Sequence, residues 1–155
     1  MSSIDSENSS FEKLYTAEQT RALDHCAIHD HGIPGITLMS RAADAAFRYL
    51  LETCPGTGSM QVLCGTGNNG GDGFLVADLA HKRGIEATVL QLGDAEKIGG
   101  DARLAREQAL ANGVDIRPFA PDMVGGCDVL VDAMLGTGLG GDVRGDYVAA
   151  IEAMN

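Results

Sequence analysis

The apolar run Met60-Gln61-Val62-Leu63-Cys64 is followed directly by the glycine-rich stretch Gly65-Thr66-Gly67-Asn68-Asn69-Gly70-Gly71-Asp72-Gly73. This succession predicts a buried strand, a tight turn and the start of a helix, where backbone N–H groups at the positive helix end can hold a phosphate. The asparagines and the aspartate add amide and carboxylate oxygens that a plain phosphate site does not need. We therefore expect the turn to hold a nucleotide together with a second group.

Two simpler interpretations of this stretch stay open. The glycines can form a tight turn that is purely structural. Asn68, Asn69 and Asp72 can be present because asparagine and aspartate tolerate left-handed backbone and cap helices, with Asp72 as the N-cap. The absence of a Walker lysine from the glycine-rich stretch argues against ATP hydrolysis.

Strands and helices alternate on both sides of this stretch. The pattern predicts strands at 60–64, 87–92, 114–119 and 127–132 and helices at 73–83, 101–112 and 147–154. Such alternation indicates an α/β fold: a Rossmann-like, doubly wound parallel sheet in three layers with strand order 3-2-1-4.

Two further helices are predicted before the first strand. A capping box at Thr16-Ala17-Glu18-Gln19 begins the first, which ends at Gly32, and the second runs from Pro34 to about Thr53. We expect them to pack on one face of the sheet or to form a dimer surface. The expected apolar face of the second helix comprises Leu38, Ala42, Ala45, Ala46, Tyr49 and Leu50. Residues 1–13 are expected to be a flexible lead, and 14–155 a single domain.

Composition excludes several classes of protein. The chain has 155 residues, of which 45% are hydrophobic, and a net charge of −11, which argues against nucleic acid or an anionic membrane as its main partner. The start is polar and acidic rather than a signal or transit peptide, and no apolar run reaches membrane-spanning length. Cys64 and Cys127 fall in apolar strand patterns, which predicts buried, reduced thiols in a cytoplasmic protein.

A second glycine-rich loop runs from Asp132 to Gly145, directly after the fourth strand. Strands one and four are neighbours in the order 3-2-1-4, so loops 65–72 and 132–145 should line one crevice at the switch point of the sheet. Asn69 and Asp132 would then offer hard oxygen donors for an alkali or alkaline-earth cation. Asp132 is also the candidate acid or base, in a half-desolvated position, unless it simply begins the loop as a turn residue.

Three segments resemble the NAD(P)H-hydrate epimerases, the YjeF N-terminal domain family: 65–73, Asp132-Ala133-Met134-Leu135-Gly136-Thr137-Gly138, and the stretch 32–39 with Arg41-Ala42. The resemblance runs from about Leu14 to Asn155. It departs from the family at Ser40, where a glutamate is usual, and at Ala43, where a glycine is usual. These departures bear on dimer packing more than on chemistry.

The resemblance implies an isomerase of metabolite repair, which interconverts the R and S hydrates of NADH and NADPH at ring carbon C6. A separate or fused ATP- or ADP-dependent dehydratase then restores the cofactor from the S form. The resemblance further implies a K⁺ ion held by Asn69 and Asp132, a homodimer, and catalysis by Asp132. The substrate-binding residues that it implies are Asn68, Asn69, Gly70, Gly71, Asp72, Gly136, Thr137, Gly138, Leu139, Gly140, Gly141 and Asp142.

The family continues beyond the position of Asn155 with a strand that bears a further aspartate and a serine contact to potassium. The resemblance therefore implies a chain truncated before the last strands of the sheet, with its activity and stability reduced accordingly. A rival interpretation is a non-catalytic scaffold or dimerisation module of the same fold. A second rival is a nicotinamide-dependent oxidoreductase, which would need an acid at the end of strand two. The nearest acid, Asp94, lies past Gly93 and fits that position poorly.

Overall fold

The computed structural model describes residues 14–155; the flexible lead predicted for residues 1–13 lies outside the described residues. The chain divides into two compact units, Met1–Gly32 and Ile33–Asn155. The described part of the first unit contains helix α1, Ala17–His25, continued by a π-helical turn, Cys26–Asp30. The predicted capping box is confirmed, since Thr16 Oγ1 accepts a hydrogen bond from the Gln19 N–H and Gln19 Oε1 accepts one from the Thr16 N–H.

The second unit is built on a parallel sheet of four strands in the order β3-β2-β1-β4, as the sequence predicts. The strands are β1 (Ser59–Cys64), β2 (Glu86–Gln91), β3 (Asp115–Pro118) and β4 (Val129–Ala133), and the helices are α2 (Gly35–Thr53), α3 (Asn68–Lys82), α4 (Gly100–Ala111) and α5 (Asp146–Met154). Strand β1 therefore lies between β2 and β4, and its carboxyl end lies at the middle of the sheet edge.

Helices cover both faces of the sheet, which confirms the predicted three layers. On one face, α2, α3 and α4 bury a large core that includes Phe47, Val62, Phe74 and Val89. On the other face, a smaller core forms around Leu63, Leu90 and Leu92, and α5 contributes Ala150 and Tyr147 to it. No helix within residues 14–155 is both long enough and apolar enough to span a bilayer.

Helix α3 begins earlier than predicted. It starts at Asn68 with Gly67 as its N-cap, so the prediction of a helix from residue 73 is wrong, as is the interpretation of Asp72 as the N-cap. The glycines inside α3 allow the helix to pack closely against its neighbours. A Cβ at Gly71 would lie 2.7 Å from Met39 Sδ of α2 and 3.0 Å from Ala102 Cα of α4, so a larger residue would require Met39 to change its conformation.

The predicted apolar face of α2 is wrong for four of its six residues. The buried positions are Met39, Ala43 and Phe47, whereas Ala42, Ala45, Ala46 and Tyr49 are exposed. Leu38 and Leu50 are half-buried, and Leu50 packs against the core. The buried row and the exposed row of α2 residues both contain alanines, so both are apolar in sequence. The larger side chains, Met39 and Phe47, determine which stripe enters the core, because they bury more apolar area.

The two strand cysteines differ in environment. Cys64 is fully buried, as predicted, and burial raises the pKa of its thiol because the thiolate would lose hydration. Cys127 is half-buried and precedes β4, so its predicted place in a buried strand is wrong.

Asp128, directly before β4, connects the start of that strand to the start of β1. Its carboxylate accepts hydrogen bonds from the Gly58 and Ser59 N–H groups, both 2.9 Å long.

Asp78 of α3 is a buried carboxylate that joins α3 to α4. Its side chain is 1% exposed and accepts hydrogen bonds from Lys82 Nζ at 2.7 Å, Gln108 Nε2 at 2.8 Å and Asn112 Nδ2 at 2.8 Å. Burial alone would raise the pKa of Asp78. The hydrogen bonds and the charge of Lys82 together outweigh burial, so the pKa of this carboxyl lies below its ordinary value.

Replacing Asp78 by asparagine should therefore destabilise the fold by about 2–4 kcal/mol at neutral pH, since it leaves donors of Lys82, Gln108 and Asn112 without a charged acceptor. A carboxyl whose pKa is lowered on folding stabilises the protein above its unfolded pKa. That stabilisation is lost as the pH falls through the folded value. Urea unfolding at pH 7 should show the full difference in the free energy of unfolding between Asp78→Asn and the parent. This difference should shrink below about pH 4.

Asp44→Asn is the matched control for Asp78. Asp44 makes an i,i+4 ion pair with Arg48 on an exposed face, so its loss should change stability by less than about 0.5 kcal/mol. Equal unfolding midpoints for Asp78→Asn and the parent would contradict the assignment of Asp78 as a structural anchor.

Candidate active site at the carboxyl edge of the sheet

The carboxyl ends of β1 and β4 are joined by direct backbone contact. The Gly65 N–H, immediately after β1, donates a 3.1 Å hydrogen bond to the carbonyl of Ala133, the last residue of β4. A Cβ at Gly65 would overlap the carbonyl oxygen of Met134. The glycine therefore allows the end of β1 to approach the beginning of the second loop more closely than any other residue could.

Two more glycines hold the first turns of α3 against these strand ends. A Cβ at Gly70 would overlap the carbonyl oxygen of Gly65, and a Cβ at Gly73 would lie 2.5 Å from Ala133 Cβ and 2.8 Å from Cys64 Sγ. These two glycines allow close packing of α3 on the strand ends, but they lie inside the helix rather than in the tight turn that the simpler interpretation expects. Gly67 differs, because no atom lies within 4 Å of its Cβ position.

The structure brings the two glycine-rich loops together, as the strand order predicts. Asn69, in the first turn of α3, donates a 3.1 Å hydrogen bond from Nδ2 to the carbonyl of Leu135. Asn69 Cβ lies 3.2 Å from the Cβ position of Gly136. With its amide nitrogen engaged in this way, the Asn69 amide oxygen is left as an acceptor beside the second loop.

Asp132 lies near the end of β4, opposite Leu63 in the register of the sheet. Its Oδ1 accepts a 2.9 Å hydrogen bond from the Met134 N–H. This is the geometry of an aspartate that begins a turn, which is the simpler of the two interpretations of Asp132. The expected half-desolvated environment is wrong for this structure, because Asp132 is exposed. The physical reason is that β4 is the edge strand of the described sheet, paired only with β1.

The remaining predicted site residues fall into two groups. In α3, Asn68 is exposed, Asp72 is half-buried, and Gly70 and Gly71 are buried. In the second loop, every predicted residue is exposed: Gly136, Thr137, Gly138, Leu139, Gly140, Gly141 and Asp142. A turn with a 3.2 Å hydrogen bond from the Leu139 N–H to the Gly136 carbonyl shapes the start of this loop.

Sequence reasoning missed Tyr147, in the first turn of α5. Its hydroxyl lies 3.1 Å from the Cβ position of Gly65 and 3.8 Å from that of Gly93, so it stands over the carboxyl ends of β1 and β2. The prediction of a helix beginning at residue 147 placed this tyrosine directly after the second glycine-rich loop. It gave no indication of the sheet face on which the helix lies.

The oxygen donors at this edge fit an alkali or alkaline-earth cation. Asn69 offers an amide oxygen and Asp132 a carboxylate, and hard oxygen ligands of this kind suit such ions. Within residues 14–155, no group of three or more His, Cys, Asp or Glu side chains is arranged to hold a metal ion. A cation here would therefore be held by a mixture of amide, carboxylate and other oxygens.

The N-terminus of α3 points into the same edge. Its N-cap, Gly67, has no side chain to satisfy the first N–H groups of the helix. These donors and the positive end of the helix dipole suit a phosphate. The edge thus places a helix N-terminus that suits an anion beside oxygen donors that suit a cation.

Comparison with known proteins agrees with this architecture. Residues 35–155 match the family described as YjeF-related protein N-terminus. The chain is 39% identical over 142 residues to a protein of Coxiella burnetii named bifunctional NAD(P)H-hydrate repair enzyme Nnr, covering 92% of this chain and 29% of the relative. It is 35% identical to an NAD(P)H-hydrate epimerase of Rhodopirellula baltica, covering 90% of this chain and 59% of the relative.

A third relative and one solved structure extend the comparison. An NAD(P)H-hydrate epimerase of Limosilactobacillus reuteri is 35% identical, and the match covers 93% of this chain and 68% of that protein. The crystal structure of yeast ynu0 superposes with a TM-score of 0.76 at 18% identity, covering 92% of this chain and 65% of the yeast chain, which shows the shared fold. The chain spans less than a third of the Coxiella relative and about three fifths of the Rhodopirellula relative.

Proposed function

Because this chain belongs to the family described as YjeF-related protein N-terminus, we propose that it epimerises the hydrates of NADH and NADPH. The single observation that carries the proposal is the hydrogen bond from Asn69 to the Leu135 carbonyl. It links the two segments of the epimerase resemblance at the carboxyl edge of the sheet. The names of the Rhodopirellula and Limosilactobacillus relatives support the same activity.

The proposed ligand is an anionic dinucleotide held between α3 and the second loop. Backbone N–H groups at the uncapped start of α3 would bind its phosphates. The side chains and backbone of Asn68, Asn69, Gly70, Gly71 and Asp72, together with residues 136–142, would surround the ribose and the hydrated ring. Since residues 136–142 are exposed, they can contact a ligand without leaving the core.

We assign the cation as K⁺, held by the Asn69 amide oxygen and the Asp132 carboxylate. The hydrogen bond to Leu135 orients Asn69, and the hydrogen bond from Met134 orients Asp132, so both donors are positioned before a ligand arrives. When bound, K⁺ would supply positive charge. That charge would offset the repulsion between the dinucleotide phosphates and the carboxylates of Asp72 and Asp132.

Asp132 is the proposed acid–base residue. Inversion at C6 requires one bond from C6 to a heteroatom to break and then to re-form on the opposite face of the ring. As a carboxylic acid, Asp132 can donate a proton to the departing atom, and the resulting carboxylate can take the proton back as the bond re-forms, so no proton is consumed overall. The second carboxylate oxygen of Asp132 is available for this transfer, because Oδ1 is occupied by the Met134 N–H.

The proposed activity also implies a partner enzyme, and we propose that the chain forms a homodimer. A dehydratase that consumes the S hydrate is the expected functional partner, and the bifunctional name of the Coxiella relative supports this coupling. The exposed apolar stripe of α2, formed by Ala42, Ala45, Ala46 and Tyr49, supports a homodimer. We place the protein in the cytoplasm, where its proposed substrates are used.

A coupled assay tests the proposal. NADPH hydrate containing both epimers is mixed with a purified dehydratase that acts only on the S form, and recovery of NADPH is followed by absorbance. With this chain and K⁺ present, recovery of the R half should become much faster than the spontaneous rate. Replacing K⁺ by tetramethylammonium should reduce the acceleration, because the methyl groups of that ion prevent direct coordination by oxygen.

Recovery of the R half at the uncatalysed rate, with the chain shown to be folded, would contradict the proposed activity. An acceleration that is equal in K⁺ and in tetramethylammonium would leave the epimerase assignment intact and reject the cation site. Binding of the hydrate without turnover would favour the scaffold interpretation.

A further inference from the structure

Tyr147 places a hydroxyl at the end of β2, where a dinucleotide fold usually supplies an acid. In such folds an aspartate or glutamate after the second strand binds the adenosine ribose. The acid available here, Asp94, is occupied otherwise. Its Oδ1 accepts a 3.0 Å hydrogen bond from the Glu96 N–H and caps the short 3₁₀ helix Ala95–Lys97.

Gly93, two residues after β2, lies beside the Tyr147 hydroxyl. Gly93 has φ of +73°, a left-handed conformation that favours glycine. Thr66 lies 3.1 Å and the Tyr147 hydroxyl 3.8 Å from its Cβ position. The ends of β1 and β2 and the start of α5 therefore meet around one polar group.

The hydroxyl of Tyr147 is free to bind a ligand. Its ring is half-buried in the smaller core, which holds it in place. Among residues 14–155, no hydrogen bond occupies the hydroxyl, and every fully buried side-chain nitrogen or oxygen atom has a partner. The hydroxyl consequently retains access to solvent at the crevice.

We propose that the Tyr147 hydroxyl binds the adenosine ribose of the dinucleotide, in place of the acid that other dinucleotide folds use. A carboxylate at this position would accept a hydrogen bond from a ribose 2′-hydroxyl but repel a 2′-phosphate. A neutral tyrosine hydroxyl can accept a hydrogen bond from the former and donate one to the latter. The site therefore accepts both the NADH and the NADPH series. This inference rests on the proposed function for the identity of the ligand.

The test uses two stable probes, ADP-ribose and ADP-ribose 2′-phosphate, titrated calorimetrically into the parent chain and Tyr147→Phe. The variant keeps the ring in the core and removes only the hydroxyl, so it should unfold at the same temperature as the parent. Loss of one hydrogen bond should weaken binding of both probes about fivefold to tenfold. Tyr49→Phe, which removes a hydroxyl from an exposed tyrosine of α2, is the matched control and should bind as the parent does.

A measurement without substitution complements the titration. The chain has three tyrosines, so ring-labelled tyrosine gives few NMR signals. Addition of ADP-ribose should shift the Tyr147 signal and leave those of Tyr15 and Tyr49 in place. Equal affinities of Tyr147→Phe and the parent, or a parent that binds neither probe, would overturn the inference.

Two other outcomes distinguish the ribose contact from the proposed activity. A loss confined to one probe would overturn the claim that the hydroxyl serves both series. A parent chain that binds the probes through Tyr147 but shows no epimerase turnover would leave this inference standing and reject the proposed activity.

Discussion

Replacing Gly70 by alanine is expected to destabilise the protein by about 3 kcal/mol or more, the upper range for overpacking a core. The added Cβ would overlap the carbonyl oxygen of Gly65, a backbone atom that cannot rotate away as a side chain could. Relief requires α3 to move away from the end of β1. Alanine favours a helix over glycine by about 1 kcal/mol, which offsets only part of this cost. Chemical unfolding monitored by circular dichroism measures the change.

Gly67→Ala is the control within the same glycine-rich stretch. Gly67 has φ of −95° and an open Cβ position, so alanine meets neither strain nor a clash. Its expected cost is about 1 kcal/mol or less, since alanine is a poorer N-cap than glycine. Equal stabilities of Gly70→Ala and Gly67→Ala would show that the glycines are not needed for helix–strand packing.

Replacing Asp132 by asparagine is expected to slow epimerisation by about 10²- to 10⁴-fold, the usual contribution of a positioned acid or base. Asparagine has nearly the shape of aspartate, and its amide oxygen can still accept the hydrogen bond from the Met134 N–H. The turn should persist, so loss of rate would report the missing carboxylate. The coupled recovery of NADPH, measured at saturating K⁺, gives the rate.

Asp122→Asn provides the matched control for charge. Asp122 is exposed in the short 3₁₀ helix Pro121–Met123, between β3 and β4, and its neutralisation changes the net charge by the same amount. This variant should epimerise at the parent rate. An Asp132→Asn protein that folds and retains the full rate would remove Asp132 from the mechanism.

Local patterns were sufficient for the elements and their order. The capping box at Thr16 and Gln19 correctly marked the start of α1 because a capping box depends on neighbouring residues alone. The alternation of strand and helix patterns correctly gave a parallel sheet of order β3-β2-β1-β4, since crossover connections allow few other arrangements. From that order came the meeting of the two glycine-rich loops, where Asn69 contacts Leu135.

Features that depend on packing could not be obtained in this way. Glycines at 70, 71 and 73 suggested a turn, because glycine is rare inside helices, yet here they permit close contact of α3 with β1, β4 and α2. Alanines obscured which stripe of α2 is buried. Asp132 is exposed because β4 is the edge strand of the sheet formed within residues 14–155. The position of a strand in its sheet cannot be read from the residue type.

The class of fold, the strand order and the two loops of the candidate site could be read from the amino-acid sequence, because periodicity, caps and turn residues are encoded within short stretches of chain. The start of α3, the face of α2 that enters the core and the position of Tyr147 beside Gly65 and Gly93 required the folded structure. Those features arise from contacts between residues far apart in sequence. Their energies depend on the shapes of both partners, which no local pattern contains.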